Sequence, residues 1–215
     1  LVNAAACFIN VIINKTLYTH GGDIAVGAAG IFTSYTSLMT MVVVGLCQGM
    51  QPIIGYNYGA GLLSRLKRTY WLAVGASTLI VTAGQLAGLI CPWYIARAFT
   101  SDPTLIDQTV RCLRISLTAF TVVGFQIIST TLFQSLGKAG ASVFLSLARQ
   151  VIFLIPLLLL LPDRYGLDGV WMSFPMSDCL ATAVTVIMVS LELSRLNRAV
   201  KGQTQSNLCT DSLES

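Results

Sequence analysis

The stretch GLCQGMQPIIGYNYGAG, residues 45–61, closes an uncharged apolar run that begins near residue 24 and opens onto the cluster Arg65, Lys67 and Arg68. Two glycine pairs spaced by four, Gly45/Gly49 and Gly55/Gly59, lie inside it, with Gln48, Gln51, Tyr56 and Asn57 between them. A soluble helix of this length seldom combines so much glycine with so little charge. In a bilayer, small residues let helix backbones approach closely. The stretch therefore reads as the end of a membrane helix at a surface, with its glycines serving close packing or a tight turn.

Composition supports that reading along the whole chain. Of 215 residues, 54% are hydrophobic and 10% charged, and the mean hydropathy is +0.74. A soluble domain carries about 25% charged residues. The formal charge of +4 does not form a nucleic-acid patch, because the basic residues are spread along the chain and sit mostly at helix ends. Cys7, Cys47, Cys91, Cys112, Cys179 and Cys209 form no CxxC pair and read as small hydrophobes. With His20 as the one histidine, no His-rich metal site is expected. The chain opens on Leu1 inside an apolar stretch, without the charged start of a signal peptide, and reads as a fragment.

Apolar runs then define an all-α integral membrane protein of six helices, the first truncated: about 1–18, 24–54, 69–98, 105–134, 140–162 and 169–193. Each complete run suffices for the roughly twenty residues that a span requires. A polar tail, 196–215, reads as disordered. The connections after the second, fourth and sixth runs carry Arg65, Lys67, Arg68, Lys138, Arg195, Arg198 and Lys201. The alternate connections carry Asp23, Asp102, Asp163 and Asp168, with only His20 and Arg164 among basic types. Positive-inside asymmetry then puts the basic loops and the C-terminus in the cytoplasm of a multi-pass plasma-membrane protein.

Three separated segments, 45–61, FQSLGKAGASVFLSLARQ (133–150) and GLDGVWMSFPMSD (166–178), resemble the C-terminal lobe of multidrug and toxic compound extrusion (MATE) transporters. The resemblance covers about residues 1–195. It implies a twelve-helix transporter of two six-helix lobes, in which this chain supplies helices seven to twelve and an N-terminal lobe is the missing partner. It also implies secondary active efflux of small cationic or amphipathic compounds from a central cavity. Entry of protons or sodium ions would drive that efflux, with no other cofactor. Some members hold the coupling cation with acidic residues on the first and fourth helices of this lobe. Here those helices carry Asn10, Asn14, Lys15 and Gln126 with no central carboxylate, so the resemblance does not carry a cation site into this lobe.

Arg149 and Asp178 are charges inside spans, where an ionisable group costs at least about 2.5–3.5 kcal/mol and needs a partner or water. Counted from the 162–168 turn they lie roughly 20 and 15 Å deep on antiparallel neighbours, within reach of each other. They are candidates for gating or coupling; a purely architectural ion pair is the competing reading. Asn10, Asn14, Tyr35, Gln51, Gln126 and Gln134 are candidate cavity residues, offering hydrogen bonds and an aromatic face for cations. Their competing role is interhelical hydrogen bonding. Pro156 and Pro175 each remove a backbone hydrogen bond inside a span and are candidate kinks. Glu192, with Arg195 one turn on, reads as a surface pair. No phosphate loop, catalytic cluster or metal-ligand set is visible, so an enzyme is not expected. The alternatives are a lipid-linked oligosaccharide flippase, which needs several basic cavity residues, and a non-transporting membrane scaffold.

Overall fold

The computed structural model describes the backbone of residues 2–211 and the side chains of residues 8–196. All regular structure there is helical: α1 (Val2–Gly59), α2 (Leu63–Ile90), α3 (Pro92–Phe99), α4 (Pro103–Ser116), α5 (Thr121–Ser135), α6 (Ala139–Leu147), a π-helical segment (Ala148–Leu154), α7 (Ile155–Tyr165) and α8 (Leu167–Asp211). Four of these stretches are long and apolar enough to cross a membrane, and the bent pair α4–α5 supplies a fifth.

The sixth pass comes from a reversal inside α1. Its helical geometry breaks at Gly22, where φ is 63° and ψ −160°. A side chain is strained at such an angle and glycine is not. Asn10 and Thr40 line one cavity, although thirty residues of straight helix would hold them about 45 Å apart. The two halves of α1 therefore form a hairpin, and the chain is the expected six-helix bundle.

The turn at Gly22 sits beside Leu167, the first residue of α8. With the turns at 100–102 and 166 it forms one end of the bundle, which carries Asp23, Asp102, Asp163 and Asp168. The turns at 60–62 and 136–138 form the other. We refer to these as the acidic and basic ends. The pass made by α4 and α5 runs alongside α8 in the same direction: Arg111 pairs with Asp168, the Ser116 hydroxyl donates to the Trp171 carbonyl at 3.2 Å, and Gln126 donates to the Asp178 carbonyl at 2.8 Å. Trp171, Tyr70, Leu66, Leu113, Ile128 and Leu132 are fully buried between the passes.

Several boundaries differ from expectation. Helix α1 continues to Gly59, and α2 already starts at Leu63, so Arg65, Lys67 and Arg68 lie on the first turns of α2 rather than in a loop. The run 69–98 is two helices because Pro92 has no N–H to continue the ladder past Cys91. The run 105–134 is broken at 117–120 by 61°. Helix α8 continues through 196–211, where disorder is expected from composition. Residues 1 and 212–215 lie outside the described residues.

Of the glycines of 45–61, Gly61 serves the tight turn, with φ 70°, and a Cβ on Gly55 would lie 3.9 Å from the Ser135 carbonyl, while the other three do not serve close packing within this chain. A Cβ on Gly45, Gly49 or Gly59 would meet nothing within 4 Å, because these positions face outward. Close approach occurs instead at Gly84 and Gly88 of α2, which pack against Met39, Tyr35 and Leu117.

Candidate functional site

Two cavities open between the passes and meet at one point. The larger, about 600 Å³, lies toward the acidic end; its polar lining includes Asn10, Asn14, Thr33, Thr36, Ser37, Ser177 and Asp178. The smaller, about 380 Å³, lies toward the basic end and is lined by Gln126, Thr130, Thr131, Gln134, Ser146 and Thr185 among others. Thr40, Arg149 and Gln150 line both. Arg149 and Asp178 are the charged side chains of the two linings, so their polarity is otherwise that of hydroxyls and amides.

The local structure that presents Arg149 follows from Pro156. Proline cannot donate to the carbonyl of Ile152, and its ring crowds that carbonyl. The turns just before it, Ala148–Leu154, are π-helical, a wider winding that relieves the clash and recurs at functional sites. Pro156 is thus accounted for by a π-turn. Across from it, Ser177 donates to the Arg149 carbonyl at 2.9 Å. The Arg149 Nε lies 3.7 Å from Asp178 Oδ1, and its Nη1 lies 3.4 Å from Gln126 Oε1. The Gln126 amide donates to Thr182 Oγ1 at 2.7 Å as well as to the Asp178 carbonyl. The arginine head thus rests between a carboxylate and an amide that are themselves held by α8. Arg149 is about one-third exposed and Asp178 17% exposed, so a long pair of this kind stays accessible to water.

The other candidates divide. Asn10 and Asn14 line the larger cavity, and Gln126 and Gln134 the smaller. Tyr35 does not line either: it is buried, and its hydroxyl donates to the Gly84 carbonyl at 2.6 Å, joining α1 to α2. Gln51 is exposed near the basic end and lies outside both linings. Pro175 is buried within α8, away from the cavities. Glu192 is not a surface residue. It is 6% exposed and pairs with Lys138 of the 136–138 turn rather than with Arg195. The basic turn at Lys138 therefore has an acid beside it.

Sequence reasoning missed the hydroxyl stripe Thr33, Thr36, Ser37 and Thr40. Its i, i+3, i+4, i+7 spacing is the helical signature of a single face and was available to find it. It also missed Gln85. This buried amide donates to the Thr118 carbonyl at 3.0 Å and accepts from the Thr121 N–H at 2.9 Å and from the Thr121 hydroxyl. The freed backbone groups of the α4–α5 break are satisfied in this way inside the span, as a bilayer demands. Among the described residues no cluster of three or more metal-ligating side chains occurs.

The profile of the MatE family matches residues 1–160. The chain belongs to the MatE family. MatE relatives include the multidrug export protein MepA of Staphylococcus aureus (strain bovine RF122 / ET3-1), 23% identical over 189 residues. The match covers 88% of this chain and 41% of MepA. The MepA of Staphylococcus haemolyticus (strain JCSC1435) is 23% identical over 185 residues, covering 86% and 40%. Among solved structures, a ligand complex of the MATE multidrug transporter DinF-BH is 37% identical, covers 88% of this chain and 42% of its own, and has a TM-score of 0.77. A MATE in complex with MaL6 has a TM-score of 0.86 at 18% identity, covering 92% and 45%. This MatE chain thus spans less than half the length of the relatives it matches, over a shared membrane fold. The family is one of transporters, in keeping with a protein that is not an enzyme.

Proposed function

We propose that this MatE lobe works as the C-terminal half of a secondary active multidrug transporter, exporting cationic or amphipathic compounds in exchange for protons or sodium ions. The observation that carries the proposal is the junction of the two cavities at Arg149. A path between the acidic and basic ends passes Thr40, Arg149 and Gln150, so the arginine occupies the place of a gate. The linings are amides and hydroxyls beside apolar side chains, which accept amphipathic molecules without demanding one shape. Asp178 is the carboxylate of the larger cavity and is held by Arg149. A coupling cation therefore binds in the other lobe or displaces Arg149 from Asp178. That other lobe is the principal partner, the bilayer surrounds both, and the basic end faces the cytoplasm of the cell by the positive-inside rule. A flippase for pyrophosphate-linked lipids is disfavoured, since Arg149 alone is basic in the linings and is already paired.

The test uses the full-length protein in proteoliposomes, with the cationic amphipathic dye ethidium as cargo and proton and sodium gradients imposed separately. Export should stop when one gradient alone is collapsed. The exchanged pair Arg149→Asp with Asp178→Arg should assemble but export nothing. Export restored by the exchange, over either single variant, would reduce the pair to an architectural contact.

A further inference from the structure

On the faces of α4 and α8 turned away from the cavities lies an open groove of about 610 Å³, lined by Ile115, Thr118, Ala119, Met172, Pro175, Met176, Cys179 and Leu180, with Arg114 at one end. The division of α8 is clear from its neighbours: Phe174, Ser177 and Asp178 turn into the larger cavity, while Met172, Pro175, Met176, Cys179 and Leu180 turn to the groove. Met172, Met176 and Leu180 are 42%, 44% and 45% exposed, so the groove faces outward from the lobe.

The register of the two helices sets the depth of its parts. Arg111, paired with Asp168 at the start of α8, marks the acidic-end surface. Arg114 follows three residues later, roughly 5 Å deeper, and Met172 to Leu180 descend about 12 Å further along the span. Arg111 has its carboxylate. Arg114 is exposed and makes no ion pair or hydrogen bond with a described residue, and no acidic residue lines the groove. An arginine at this depth reaches back to the headgroup layer with its guanidinium while its stem lies along apolar surface. A planar guanidinium without a partner matches a phosphate in two-point geometry. Below it, the methionines and Leu180 match a hydrocarbon chain.

We propose that this groove is a binding site for an anionic phospholipid of the acidic-end leaflet. Its phosphate sits on Arg114, and one acyl chain runs along Met172, Met176 and Leu180 over Thr118 and Ala119. The acyl chain thus covers the outer side of the α4–α5 break, whose inner side is held by Gln85. Charge complementarity selects the headgroup, and the apolar descent selects a lipid over a soluble phosphate.

Full-length protein in nanodiscs tests the site with photoreactive phosphatidylglycerol and phosphatidylcholine that carry a diazirine in the same acyl position. Adducts are mapped by peptide mass spectrometry, without any transport assay, so the result is independent of the efflux proposal. Phosphatidylglycerol should label residues 115–119 and 172–180 about fivefold more than phosphatidylcholine, the preference one lipid-facing arginine confers. Arg114→Gln should bring the two lipids to parity at these residues, and Arg114→Lys should keep most of the preference. Ala119→Phe, which fills the groove, should reduce labelling by both and keeps the test open where Arg114→Gln misfolds. Parity in the unaltered protein, labelling only elsewhere, protection of the groove by ethidium, or a preference unchanged in Arg114→Gln would overturn the proposal.

Discussion

The α4–α5 break and the π-helical turn before α7 both interrupt a backbone ladder inside an apolar span, yet they arise and are held differently. At 148–154 the cause lies in the local sequence itself, because Pro156 removes a donor and crowds a carbonyl. The wider π-turn keeps the helix continuous, and Ser177 contributes one hydrogen bond to it, at the Arg149 carbonyl. At 117–120 no proline or glycine is present. The chain bends by 61°, and Gln85, from another helix, satisfies both a freed carbonyl and a freed N–H. One distortion is local and only trimmed by its neighbour. The other is held by its neighbour. Both border the larger cavity, through Arg149 and Gln150 on one side and Ser116 and Phe120 on the other.

Removing the neighbour should therefore hurt the two distortions unequally. Gln85→Leu should cost the most, about 2–4 kcal/mol, because two backbone groups lose their partners in a buried setting. Gln85→Asn, which keeps the amide but is one methylene too short to hold both groups, should fall between. Tryptophan-fluorescence melts of the purified protein measure both; a Gln85→Leu protein that melts with its parent would end the distinction. Ser177→Ala should cost about 1 kcal/mol in the same melts, for one hydrogen bond. A cost equal to that of Gln85→Leu would make the two distortions alike.

Pro156→Ala should change stability by less than about 1 kcal/mol, since it restores a donor and relieves a clash while giving the unfolded chain slightly more freedom. Its signature is hydrogen exchange: amides across 148–156 should become better protected as the π-turn narrows. Unchanged protection would separate the π-turn from its proline, and unchanged export would exclude bending there as part of transport. The smallest effect concerns the start of the broken pass. Asp102 caps α4, accepting from the Thr104 hydroxyl at 2.7 Å and its N–H at 2.9 Å, and these bonds hold its carboxyl below the usual carboxylate range. A lowered folded value means that the cap contributes above the unfolded carboxyl's titration and is lost as pH falls through the folded one. Exchange at Thr104 should rise only in that acidic range, and Asp102→Ala should show the risen rate at every pH.

The membrane class, the six passes and the family were legible in composition, run lengths and three motifs. So was the meeting of Arg149 with Asp178, because depth below a shared turn is a simple count on antiparallel helices. What stayed hidden depends on lateral contact. Nothing in RISLTAFTVVG (114–124) signals a break, and the side chain that satisfies it, Gln85, is some thirty residues away. Glu192 looked like the partner of Arg195 because helical spacing is visible in a sequence and the approach of Lys138 is not. The glycines at 45 and 49 carry the right spacing for packing, but spacing does not say which side of a helix a neighbour occupies. Tyr35 and Gln51 have the chemistry of cavity residues, and only their azimuth and depth remove them from it.

Two ion pairs hold helix α8 to the bundle at two levels, Arg111 to Asp168 near its start and Lys138 to Glu192 twenty-four residues further on, a length of about 36 Å. The first fastening is in water, with Arg111 59% exposed, and the second is nearly dry at Glu192. A rod held this way resists sliding, because displacement by one 5.4 Å turn would rupture both fastenings together. Between those two levels the Ser116 and Gln126 side chains donate to the Trp171 and Asp178 carbonyls and Ser177 donates to the Arg149 carbonyl, so the middle of the rod is tied as well. This pass is thus coupled to its neighbours along its length, and a displacement at the level where Asp178 meets Arg149 carries Gln126 and the π-helical segment with it.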